Sequence, residues 1–451
     1  MKITDIAIKR VAYTTEDFTY RTPIKFGGFV LDRVTLLNTE VEVETGQGKR
    51  AIGRASMPLG NIWAFPSKSL GYKQTLGAMK CVVERVAKIY EKAKLTGHPI
   101  DLTWQLESSF FAAADEESKQ LALGEPIPRL ATLVAASPFD AALHDAFGKV
   151  HRVSSYHTYG PDFLDNDLGR FFGAEFRGVT IDQHVTREPV ASLPLYHLVG
   201  ALDPLSPQDV VKPIGDGLPE TLGEWIAFNG LTHLKIKLNG DDLNWDVQRV
   251  LAVEVAAAEA QSKRGVRLWH YSLDFNEKCQ NIAYLLEFIA RVQAGSEAAF
   301  RRIAYIEQPT ARDLNANRQN VMHEASAMIP VVIDESLLDL ESLLVAREMG
   351  YTGAALKACK GQTQSILLAC AARHLKMFLC VQDLTCPGAS LIHSAGLAAH
   401  VKGVTAIEAN SRQYCPNANA AWAPQFPGIF DIKDGQMNTG SLTGLGLSAF
   451  T

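Results

Sequence analysis

From residue 193 the chain keeps a regular beat: a short apolar stretch, then a run with helical spacing, repeated eight times. The stretches are Leu193–Gly200, His233–Leu238, Val266–Phe275, Arg302–Glu307, Pro330–Asp334, Gly353–Lys357, Met377–Asp383 and Val404–Glu408. Parallel strands need a crossover, usually a helix, and eight such units close on themselves. The pattern therefore predicts an α/β fold of the (β/α)8-type barrel. A doubly wound open sheet is the rival, but the Gly-rich phosphate loop expected after its first strand is missing.

What precedes the barrel has another texture. Val34–Glu44 alternates and stops at Thr45-Gly46-Gln47-Gly48, a strand meeting a hairpin turn, and Gly71–Leu95 has helical spacing. Pro138–Gly148 reads as a helix with Ser137 as N-cap and Pro138 in its first position. Residues 151–192 are polar, Gly-bearing and without a clear period. The expected division is an α+β capping domain over 1–135, the barrel over 136–410, and a C-terminal segment, 411–451, that returns to the cap.

Composition narrows the partners. With 44 basic and 49 acidic side chains the net charge is −5, and no Lys/Arg-rich tract marks a nucleic-acid face. No apolar run approaches the ~20 residues of a membrane span. The seven cysteines contain no CxxC pair, which suits free thiols in a reducing, cytoplasmic setting.

In such barrels the chemistry sits at the C-terminal ends of the strands. Here those ends are charged in order: Lys235-Ile236-Lys237, Asp274 with Asn276, Glu307, Asp334-Glu335, Lys357, Asp383, and Glu408 with Asn410. Strands three, four and five are neighbours, so Asp274, Glu307 and Asp334 should converge. Three carboxylates stay ionised in a small volume only if a cation neutralises them. All-oxygen donors select a hard cation, Mg2+ foremost and Mn2+ next.

Strands two and six stand opposite each other in a ring of eight, so Lys237 and Lys357 would face a substrate from two sides. A free lysine, with a pKa of about 10.4, is a poor base at neutral pH. A nearby cation and the second ammonium of Lys235 should lower it. Such a site suits removal of the proton α to a carboxylate, with the enediolate stabilised electrostatically.

These residues resemble the enolase superfamily, and within it the muconate lactonizing enzyme-like subgroup. The resemblance rests on Lys235-Ile236-Lys237, Asp274-Phe275-Asn276, Ile306-Glu307-Gln308-Pro309, Ile333-Asp334-Glu335-Ser336, Leu356-Lys357-Ala358-Cys359-Lys360 and the run from Asp140 to Lys149. It implies metal ligation by Asp274, Glu307 and Asp334, an acid/base pair in Lys237 and Lys357, and a supporting Lys235. Racemisation or epimerisation is the leading outcome, with cycloisomerisation or dehydration from the same intermediate as the alternative. A homo-oligomer acting on a small carboxylate is also implied. Two departures stand out: Lys360-Gly361-Gln362 where many relatives carry Gly-Gly, and Glu408-Ala409-Asn410 where dipeptide epimerases carry Asp-x-Asp.

Around this set, Asn276, Glu335, Asp383, Glu408 and Asn410 are expected to orient ligands or substrate. Lys360 reads as a surface or loop residue, His270 as a core histidine deep in the barrel, and His393 and His400 as packing residues of a helix. The segment Arg21–Gly28 reads either as an ordinary hairpin loop or as a lid that closes over the site, with Gly27-Gly28 as its hinge. A barrel kept only as a non-catalytic scaffold would have no need of three like charges together.

Overall fold

The computed structural model describes residues 2–26 and 29–450. The expected hinge at Gly27-Gly28 lies outside them. Three long antiparallel strands, β1 (Ile6–Phe26), β2 (Phe29–Thr45) and β3 (Arg50–Pro58), form the cap sheet, with the short β4 (Thr96–Gly97) against the start of β1. The end of β2 alternates as its sequence does: Val41, Val43 and Thr45 are buried, while Glu40, Glu42 and Glu44 are only partly so. After the short helix α1 (Asn61–Ala64), the helices α2 (Tyr72–Lys92), α3 (Pro99–Gln120) and α4 (Arg129–His151) complete the cap layer. A Cβ on Gly53 would lie 2.0 Å from the Ala142 carbonyl and 2.2 Å from the Ala146 amide, so β3 meets the α4 backbone directly.

Helix α4 corrects the sequence reading. It starts at Arg129, not at Ser137, and runs through Pro138. A proline inside a helix leaves the carbonyl four residues back without its donor. That carbonyl is Val134, and the Ser137 hydroxyl donates to it at 3.0 Å. Ser137 thus repairs the proline's gap rather than capping a helix start.

The barrel strands are β5 (Ser192–Val199), β6 (His233–Lys237), β7 (His270–Asp274), β8 (Ile303–Glu307), β9 (Val331–Ile333), β10 (Gly353–Leu356), β11 (Phe378–Val381) and β12 (Ile407–Glu408). Each pairs in parallel with the next, and Ile407 and Glu408 pair with Leu195 and Tyr196 to close the ring. Being covered on both faces, the strands can be almost wholly apolar until their last residues. Between α4 and β5, residues 152–191 hold only short helical turns among regular elements and run beside the last barrel helix, where Thr186 and Val190 amides donate to His400 and Ala399 carbonyls at 2.8 and 2.9 Å.

The tail adds β13 (Gln436–Asn438), antiparallel to the start of β5. It then reaches α4, where the Leu447 amide donates to Asp145 Oδ1 at 2.8 Å while the Arg54 amide of β3 donates to Oδ2 at 2.9 Å. All seven cysteines are unpaired, and no described helix is long and apolar enough to cross a membrane.

Candidate active site

Register carries the strand-end residues to one level. Lys237 pairs with Asp274, and Asp274 with Glu307. Glu307 pairs with Val332, so Asp334, two residues on, points the same way. The ten charged side chains at this mouth are all buried: Lys235, Lys237, Lys357 and Lys360 against Asp274, Glu307, Asp334, Glu335, Asp383 and Glu408. Six carboxylates against four ammonium groups leave a formal charge of −2.

The ammonium groups sit among the carboxylates. Lys235 Nζ lies 3.1 Å from Asp274, 2.8 Å from Glu307 and 2.8 Å from Glu408. Lys237 Nζ pairs with Asp274 and donates to Asn276 Oδ1 at 3.0 Å. Across the ring, Lys357 Nζ is 2.8 Å from Asp334. It also lies 4.6 Å from the centre of the Trp63 ring, which α1 brings down from the cap. Trp63 Nε1 in turn donates to Glu335 Oε1 at 2.9 Å.

These neighbours set the charge states. Burial raises the Glu307 pKa well above its usual range, and the carboxylates of Asp274 and Asp334 push the same way. Burial also works to raise Asp274 and Asp334, but the lysines beside each outweigh it and hold both low. Glu335 is pushed up to about 7 by burial and then by Asp334, and Asp383 to about 7 by burial and then by Glu408. The expected lowering of the lysines is reversed at Lys357. Burial acts to lower it, yet the adjacent Asp334 carboxylate prevails and raises it.

The outer residues have definite places. Asp383 accepts from the Thr385, Cys386 and Asn410 amides at 2.8, 3.4 and 3.2 Å, which pins the β11 and β12 loops together. Asn410 Nδ2 donates to Glu408 at 3.3 Å, while its Oδ1 is buried without a partner. Asn276, at φ 44°, accepts Lys237 and donates its amide to Asp274 at 2.8 Å.

Lys360 corrects the expectation. It is 3% exposed, pairs with Asp334 Oδ1 at 3.2 Å and donates to the Asp334 and Leu337 carbonyls, because the turn after Lys357 folds it back under β9. His270 also departs, half-buried against His233 at the bottom of the barrel. His393 and His400 pack as expected, against Gln362 and Tyr156.

Several residues here were given no role by the sequence reading, although it includes Gln308 in a motif and Ile24 in the Arg21–Gly28 segment. Gln382 donates to Glu307, and Gln308, next to Glu307, accepts the Asp334 and Ser336 amides at 3.0 and 3.2 Å. From the cap, Tyr20, Ile24, Leu31, Val34, Ile62 and Trp63 roof the cavity that Lys237 and Lys357 share. Its volume is about 50 Å³, against roughly 300–1,000 Å³ for common ligand pockets. A substrate can therefore enter only if the roof moves. The β1–β2 hairpin is tied down by Arg21, which donates to Asp216 at 2.5 and 2.9 Å and to the Leu218 carbonyl at 3.2 Å, and by Lys25, 3.0 Å from Asn239.

In donor type and charge this set fits a divalent cation: oxygen donors at three successive strand ends and an excess of two negative charges. Among the described residues no three His, Cys, Asp or Glu side chains stand close enough to chelate it unaided. Lys235 and Lys237 share the oxygens of Asp274 and Glu307, and Lys357 and Lys360 those of Asp334, and all would have to release them.

A complete (β/α)8 barrel whose mouth carries ordered carboxylates and lysines beneath an α+β cap is the enolase-type architecture. The chain belongs to the enolase C-terminal domain-like family, whose model matches residues 218–449. In fold it is similar to a dipeptide epimerase from Enterococcus faecalis complexed with Mg and the dipeptide L-Leu-L-Tyr, at 14% identity, TM-score 0.61, over 98% of this chain and 99% of that one. It is likewise similar to a muconate lactonizing enzyme from Pseudomonas fluorescens complexed with muconolactone (15% identity, TM-score 0.60, 98% and 95% coverage). A third neighbour is the L-Ala-D/L-Glu epimerase from Bacillus subtilis (14% identity, TM-score 0.59, 89% of each chain). No curated protein sequence matches this chain.

Proposed function

We propose that this chain is an isomerase that removes the proton α to a carboxylate and returns it on either face, a racemase or epimerase of a carboxylic acid or acyl amino acid. The observation that carries this reading is the pair of buried ammonium groups, Lys237 on β6 and Lys357 after β10, lining one cavity from strands four apart in the ring. One Nζ takes the proton and the opposite Nζ supplies it, with one lysine neutral and the other protonated when the substrate arrives. Lys235 offsets part of the negative charge of Glu307 and Glu408. Asp274, Glu307 and Asp334 are the residues that would hold Mg2+, or Mn2+ as a similar hard ion. When bound, the cation offsets the second negative charge of the enediolate. Glu408 and Asn410 face the rest of the substrate.

The test is solvent deuterium incorporation by NMR, with Mg2+, across acyl amino acids, dipeptides and sugar acids. Parent protein should exchange the α-proton, and chelation should abolish exchange. Lys237→Ala and Lys357→Ala should each lose exchange from one enantiomer. Exchange that survives in both variants, or no exchange across the panel with metal shown to bind, overturns the reading. A product of ring closure or elimination would assign the same intermediate to a cycloisomerase or dehydratase instead.

A further inference from the structure

The strand order β3-β2-β1-β4 leaves β1 on the outside of the cap sheet for most of its length. Among the described residues, only Ile6 and Ala7 have a second strand neighbour, at Gly97 and Thr96. Residues 13–17 are all exposed.

The ladder fixes which main-chain groups face outward. The Thr45 amide donates to the Lys49 carbonyl at 2.9 Å, so odd-numbered residues of β2 bond towards β3 and even-numbered ones towards β1. Through the pairs Ala12↔Glu40, Thr14↔Asn38 and Glu16↔Leu36, those three β1 residues turn their amides and carbonyls inward. Val11, Tyr13 and Thr15 therefore present theirs to the open edge. Such a row is a template for another strand.

Side-chain order says which strand. About a two-fold axis at Tyr13, an antiparallel second copy sets Arg10 opposite Glu16 and Lys9 near Asp17. Lys9 is already paired with Glu44 at 3.0 Å and Asp17 already accepts from Thr35, so Arg10 and Glu16 carry the charge match. The register also pairs Val11 with Thr15, so the outward groups of both copies meet in phase. Moving the axis by half a residue pairs outward with inward groups and breaks the ladder. Moving it by a whole residue in either direction leaves Arg10 and Glu16 facing uncharged partners. Within its own chain Glu16 has no ion pair among the described residues, and the carboxylates nearest Arg10 are 3.7 and 3.8 Å away.

We infer that the outer edge of β1 is a homodimer interface, centred on Tyr13, that joins two cap sheets into one continuous antiparallel sheet. It lies away from the strand ends that carry the proposed chemistry, so it stands or falls independently of that reading.

Sedimentation velocity on the full chain should give twice the 49.3 kDa mass. Thr15→Pro removes only an outward amide, which an edge strand tolerates, and should yield a folded monomer with unchanged far-UV dichroism. Arg10→Glu and Glu16→Arg should each weaken dimerisation by about 10-fold or more, since each recurs twice across the axis. The double variant should restore it. In a Cys81→Ser background, Tyr13→Cys should cross-link two chains on oxidation. A hydrogen-bonded pair on the axis has Cα atoms about 5.5 Å apart, inside the disulfide range of about 4.4–6.8 Å. A monomeric parent at micromolar concentration, or a dimer indifferent to Thr15→Pro and Arg10→Glu that does not cross-link at residue 13, overturns the inference.

Discussion

Replacing Arg21 with Met should loosen the roof of the site and leave its floor intact. The Arg21 side chain is 6% exposed and grips Asp216, itself 34% exposed, through two bonds, with a third to the Leu218 carbonyl. A hydrogen bond to a charged group is worth roughly 1.5–3 kcal/mol. Water reaches the Asp216 side, which brings the whole contact down to about 1–2 kcal/mol. Since 1.4 kcal/mol is a factor of ten, the closed state should lose roughly 5- to 30-fold in population relative to the open one. Amide hydrogen exchange over residues 20–26 and 29–34 should accelerate by that factor, while exchange in β6 to β10 stays as it was. Where the substrate is held only by the closed form, its apparent affinity should fall in proportion. A cycle with Asp216→Asn should show the two changes are not additive. Unchanged exchange in the hairpin, or full additivity, would refute the idea that this ion pair holds the roof down.

Lys360→Met should destabilise the protein by about 3–5 kcal/mol in urea unfolding, because it strips a buried charge partner from Asp334 and leaves two carbonyls without their donor. A loss under 1 kcal/mol would return Lys360 to the periphery. His393 offers a pH test: burial holds its imidazole down to about 3, and it pairs with Gln362 at 2.8 Å. A lowered folded pKa means the neutral ring contributes stability that is fully present above about pH 6.5 and is lost as pH falls towards the folded value. Relative to His393→Gln, the parent should therefore lose about 1.4 kcal/mol per pH unit between pH 6.5 and 4. Parallel stability curves for the two proteins would contradict this.

The barrel and its mouth were legible because both depend on local order. Each strand announces itself by an apolar run, and seven of the eight reach a charged residue at or just beyond their ends, which only a shared rim explains. Lys235, Lys237, Asp274, Glu307, Asp334 and Lys357 are at that rim in register, as their spacing implies. What escaped depends on long-range contact. Trp63 reaches Glu335 across 272 positions, and nothing near either residue hints at the meeting. Lys360 looked solvent-facing because a lysine after a strand usually is, and only the tight turn after Lys357 buries it. The Ser137-Pro138 pair misled for a third reason: a helix start and a repaired proline inside a helix use the same two residues.

Asp145 also bears on how such a chain can be assembled. Its two oxygens take amides from Arg54 and from Leu447, one 91 positions before it and the other 302 after. On a ribosome, the first of these contacts can form while most of the barrel is still unmade, and the second only after every barrel strand has emerged. Until then Lys149, 2.8 Å from Oδ2 and four residues on, supplies the local countercharge, and Oδ1 is the oxygen that waits for its amide. Arrival of Leu447 completes the carboxylate's hydrogen bonds.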